Sequence, residues 1–113
     1  MSELFSGLPR KWKIGSYKFR IEIVSREDSL KDTYDGLTVF EEEKVYLSES
    51  MKPMRAAVVV MHEAIHIINW VFGVNDNCDE ETITTQVSTG LLAFWQDNPK
   101  VMQWVNRVRK IHE

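Results

Sequence analysis

Cysteine is almost missing: Cys78 stands alone among 113 residues, so neither an internal disulfide nor a multi-cysteine zinc knuckle can be assembled, a usage that suits a reducing compartment. Long apolar runs are missing as well. The longest, Ala56 to Met61, stops at His62-Glu63 and falls far short of the ~20 residues that cross a bilayer. Met1 to Lys11 offers no apolar stretch behind a positive flank, so a secretory signal peptide is not expected and the cytoplasm is. The five glycines and three prolines form no linker, and no segment repeats; a single domain over residues 1–113 is the expectation. A surplus of basic charge is lacking too. The formal net charge of −3 argues against a protein whose main business is neutralising phosphates, leaving room only for a local basic patch.

What is present is an ordinary globular mixture, 43% hydrophobic and 27% charged, with two kinds of periodicity. Tyr17, Phe19, Ile21 and Ile23 alternate with Lys18, Arg20 and Glu22, the period of a half-buried strand. Leu37 to Phe40 and Lys44 to Leu47 read as shorter strands, with Glu41-Glu42-Glu43 as the hairpin tip between them. From Pro53 the pattern turns helical. Proline fits a first helical position and Gly73 the residue just past an end, which predicts one long helix over Pro53 to Phe72. Asn77 followed by Glu80 resembles a capping-box start, and Asp97-Asn98-Pro99 stops that second helix. A third follows, capped by Asn98-Pro99, with Val101, Trp104, Val105, Val108 and Ile111 on one face. Strands first and three helices after make an α+β fold.

The chemistry concentrates in His62-Glu63-Ala64-Ile65-His66, an HExxH run inside the long helix. Positions four apart lie about 40° apart around the helix and one turn along it, so both imidazoles can reach one zinc ion. Two neutral nitrogens leave the metal's charge largely intact, which brings a bound water's pKa towards ~7, and Glu63 stands beside it to take the proton. Two histidines and a glutamate in the most apolar helix of the chain would otherwise be costly to bury.

A catalytic zinc site usually has a third protein ligand. Glu80 comes 14 residues after His66 (80 − 66), past the turn at Gly73, and shares a helical face with Ile83, Val87, Leu91 and Phe94, whereas Glu81 points about 100° away. Its competing role is that of a capping-box glutamate complementing the helix dipole. Glu81, one position on, is the alternative ligand; His112, beside the C-terminus, is the other remaining histidine.

On these residues the chain resembles the gluzincin pattern of zinc metallopeptidases in its small, minigluzincin-like form. The run from Met61 to Ile68, then Glu80-Glu81-Thr82-Ile83, Gly90-Leu91-Leu92 and Asp97-Asn98-Pro99 is similar to small phage-encoded metallopeptidases, which often carry an earlier strand like Tyr34-Asp35-Gly36-Leu37-Thr38. The similarity covers about Tyr34 to Trp104, with HExxH its specific portion. It implies a zincin fold: an active-site helix, a glutamate-bearing helix and a small sheet whose edge strand holds a peptide.

Other features have plainer readings. Arg10-Lys11-Trp12-Lys13 with Tyr17, Lys18, Phe19 and Arg20 interleaves basic and aromatic residues, as single-strand nucleic-acid surfaces do, but equally as the wet and core faces of one strand pair. Asn75, Asn77 and Asp79 mimic the start of a calcium loop, yet Glu80 stands where that loop requires glycine. Trp70, Trp95 and Trp104 are expected in the core, and Cys78 as a free structural thiol. Tyr34 and Tyr46 are available to stabilise an oxyanion, and spacing places neither.

The expectation is thus a zincin-like domain that binds one Zn2+ through His62, His66 and Glu80, with Glu63 as general base, and hydrolyses an extended peptide or protein substrate. The alternative is a catalytically silent, zinc-stabilised phage protein that binds a host protein or nucleic acid through the basic strand.

Overall fold

The computed structural model describes residues 3–25 and 35–111. Four strands come first: β1 (Lys11–Ile14), β2 (Tyr17–Val24), β3 (Gly36–Val39) and β4 (Lys44–Ser48). Three helices follow, α1 (Pro53–Val71), α2 (Glu80–Asp97) and α3 (Pro99–Val108). The α+β expectation holds at this level. The sheet order is β1-β2-β4-β3, with β2 and β4 parallel and the two outer pairs antiparallel. This order leaves β3 on an edge.

Alternation decides the layers. Trp12, Ile14, Phe19, Ile21, Val45 and Leu47 are buried towards the helices, while Lys11, Lys13, Lys18 and Arg20 lie in water between them. The basic and aromatic residues near the N-terminus are therefore the two faces of one strand pair, in register Trp12↔Phe19. On the wet face Lys44 pairs with Glu22 at 3.1 Å, and the carboxylate beside it raises the lysine pKa. The acidic run forms the hairpin tip as expected: Phe40–Glu42 make a 3-10 turn and Glu43 takes a left-handed conformation (φ 53°) before β4.

α1 begins with Pro53 in its first turn and ends as the glycine signal predicts: Gly73 is left-handed (φ 75°) and the Val74 N–H donates to Asn69 O, closing the helix end. α2 starts two residues later than the sequence suggests. Asp79, not Asn77, is the N-cap, accepting from the Thr82 N–H at 2.8 Å, and that hydrogen bond lowers its pKa. Asn77 instead gives its backbone N–H to Asn75 Oδ1 in the preceding turn. Gly90 lets α2 close on α1, because a Cβ there would collide with Ile68 and Phe72.

Asn98 precedes α3 without capping it through its side chain. Its amide reaches back to the β1 edge instead, accepting from Lys13 N at 2.8 Å and donating to Lys13 O at 2.7 Å and Phe94 O at 3.0 Å. The helix junction is thereby fastened to a strand edge that would otherwise present unpaired backbone groups. Trp104 is fully buried against Phe5, but Trp70 and Trp95 are 43% and 60% exposed, contrary to expectation. Phe94 takes the core position on α2, turning its neighbour Trp95 outward, and Trp70 packs at the sheet margin in tilted contacts with Phe40 and Tyr17. Among the described residues no helix is long and apolar enough to cross a membrane.

Candidate metal centre

The 3.6-residue period of α1 sorts its side chains. Ala56, Val60, Ala64, Ile67 and Ile68 are driven into the core, which turns His62 and His66 to the exposed stripe and Glu63, about 100° round, beneath the sheet edge. The two rings meet edge-on, centroids 4.6 Å apart, with Nε2 of His66 3.0 Å from Nε2 of His62. Two nitrogens bound to one tetrahedral zinc at about 2.0–2.1 Å stand roughly 3.3 Å from each other. The imidazoles therefore fit a shared ion with a shift of a few tenths of an ångström.

Glu63 is 4% exposed. A ligand atom from each of His62, Glu63 and His66 lies within 4.8 Å of the others. Glu63 Oε1 accepts a 2.6 Å hydrogen bond from the Thr38 hydroxyl of β3. Two grooves open between β3 and α1. One, about 200 Å³, runs from His62 towards Arg55; the other, about 300 Å³, runs along Leu37, Thr38 and Phe40 to His66. At the mouth of the first, Arg55 Nε meets Asp35 Oδ2 at 2.8 Å.

Glu80 is not brought into this cluster. It is the first residue of α2 and exposed, as is Glu81. The cause is where the helices meet: Gln86 donates to the Phe72 carbonyl at the end of α1, and Gly90 lies against Ile68 and Phe72. Glu80 is six residues before Gln86, in the exposed opening turns, and Ile83 on its face is exposed too. Tyr46 is set apart from the site. It pairs with Leu37, on the sheet face opposite Val45 and Leu47, and its hydroxyl donates to Glu42 at 2.8 Å, which raises the phenol pKa. Tyr34 and His112 lie outside the described residues. Cys78 is free, as expected. Thr38 and Gly36 are neighbours of Glu63; the resemblance marks their segment, Tyr34 to Thr38, as a strand, but only the packing of β3 on α1 brings them to the carboxylate. Comparison with family models, curated proteins and solved structures found no match.

Proposed function

We propose that this chain is a zinc-dependent metallopeptidase of the gluzincin type, built on a zincin-like fold and hydrolysing peptide bonds in an extended substrate. One observation carries the reading: a buried carboxylate, Glu63, beside two exposed imidazole nitrogens 3.0 Å apart. His62 and His66 would hold the ion through Nε2; Glu80 stays the proposed third ligand although it stands outside their cluster in this structure. A zinc ion held there lowers the pKa of a coordinated water towards ~7 and polarises a substrate carbonyl.

The rest falls to the chain. Glu63 takes the proton of the attacking water at its carboxylate and passes it to the departing amine, the work of a general base that then acts as general acid. Edge strand β3 offers backbone hydrogen-bonding groups on the side away from β4, where an extended peptide can add as a further strand. Glu63→Gln tests the assignment, because the amide keeps the shape of the side chain but cannot accept that proton.

A second reading draws on the wet face of β1 and β2, where Lys11, Lys13, Lys18 and Arg20 are all exposed: a zinc-stabilised binding module without turnover. Trp12 and Phe19 are fully buried and leave Tyr17, packed against Trp70, as the one exposed aromatic of that strand pair among the described residues, so this reading favours a protein partner over nucleic acid.

A further inference from the structure

Resting on the reading of Glu63 as proton acceptor, we propose that Gly36 and Thr38 of β3 are positioning residues for its carboxylate: Thr38 fixes Oε1, and Gly36 keeps open the space in which Oε2 receives the proton. Successive strand residues point to opposite faces, so positions 36 and 38 both face α1. Thr38 Oγ1 stands 2.6 Å from Glu63 Oε1, a short O–H···O hydrogen bond. A Cβ on Gly36 would stand 2.7 Å from Val59 Cγ1, 3.0 Å from Glu63 Oε2 and 3.1 Å from its Cγ, so the bare glycine serves the packing of β3 on α1 as well as the space around Oε2. One oxygen is therefore tied and the other is left its room by a missing side chain. Burial supplies the need for this arrangement, because a carboxylate that is 4% exposed has little water to hold it and several rotamers that would turn it from the imidazoles. A misplacement of about 1 Å at such a group can cost on the order of 10²-fold in rate.

The test uses zinc-loaded full chain and acetohydroxamate, whose hydroxyl proton needs a neighbouring carboxylate when its oxygens bind the metal. Zinc affinity is measured by chelator competition and acetohydroxamate affinity by calorimetry, for wild type, Thr38→Val, Thr38→Ser, Gly36→Ala and Glu63→Gln. Expected for Thr38→Val is unchanged zinc affinity with acetohydroxamate weakened about tenfold or more, the loss of a hydrogen bond to a charged group. Thr38→Ser, which keeps the hydroxyl, restores it. On any peptide that the wild type cleaves, Thr38→Val lowers kcat and leaves KM unchanged. Wild-type acetohydroxamate affinity in Thr38→Val, with the affinity lost in Glu63→Gln, overturns the positioning role while leaving the base assignment intact. Wild-type affinity in Glu63→Gln removes the base assignment and this proposal together. Should Thr38→Val fail to fold, Gly36→Ala decides, made also together with Val59→Ala, which relieves the 2.7 Å contact to Val59 Cγ1: retained zinc with acetohydroxamate weakened in both supports the proposal, and wild-type affinity for both ligands overturns it.

Discussion

The Nε2 atoms of His62 and His66 stand 3.0 Å apart on the exposed stripe of a helix whose opposite face is fully buried. Burial of Val60, Ala64, Ile67 and Ile68 fixes the rotation of α1, and rotation brings two side chains one turn apart to the same side. The pair is set by the core, without a partner from another element.

Zinc at one ion per chain is expected from this pair, and His62→Ala or His66→Ala should abolish it. Elemental analysis after gel filtration reads the stoichiometry. Because the ion binds the folded chain, free zinc at 100 times its Kd should add about 2.7 kcal/mol of stability, seen as a higher Tm that a chelator reverses. Stoichiometric zinc in both variants would exclude the site.

Glu80→Gln should weaken zinc affinity about tenfold or more, the size of effect expected on losing a ligand or its closest support, while Glu81→Gln should not. Competition with a chromophoric chelator measures both. The opposite order assigns the ligand to Glu81, and no change in either variant removes both from the site.

Asn98 joins Lys13 N, Lys13 O and Phe94 O. Asn98→Ala leaves those groups without their partner and should cost about 2–4 kcal/mol. A urea midpoint lowered with an unchanged slope, and zinc stoichiometry preserved, is the expected result. A midpoint equal to wild type would show that the bridge contributes nothing.

Local signals carried much of the fold and less of the site. The strand at Tyr17–Val24, Pro53 at a helix start and Gly73 at its end are decided by neighbouring residues and are observed, although the burial alternation holds fully only at Phe19 and Ile21, Tyr17 being exposed and Ile23 half-buried. The capping-box spacing from Asn77 to Glu80 points to Asn77 as the N-cap, yet Asp79, also a good cap residue, takes that place through its contact to Thr82 N. Asn98 has the composition of a cap but is captured by a strand 85 positions away, and nothing local encodes that. Within the site, the spacing of His62 and His66 was legible because one helix holds both. The resemblance marks the strand holding Gly36 and Thr38, but their nearness to Glu63 was not legible, because it is created by the sheet edge folding over α1.

Asp79 supplies a pH signature. Its folded pKa is depressed by the Thr82 N–H, so the cap's electrostatic stabilisation is complete above the ordinary value near 3.8 and is lost as pH falls through the lower folded value. Asp79→Ala should therefore lower Tm at neutral pH, with the difference from wild type narrowing below that ordinary value. A difference that stays constant down to strongly acid pH would contradict the charged cap.

The most direct measurement is a peptide-library digest by zinc-loaded wild type, Glu63→Gln and the charge reversals at Lys11, Lys13, Lys18 and Arg20, with zinc content determined in each. General-base catalysis contributes typically 10²–10⁴-fold. Expected is cleavage by wild type and by the charge-reversed chain, with Glu63→Gln retaining zinc and fold while losing about that factor in rate. Cleavage by Glu63→Gln at the wild-type rate, or no cleavage by any zinc-loaded form, would contradict the peptidase assignment.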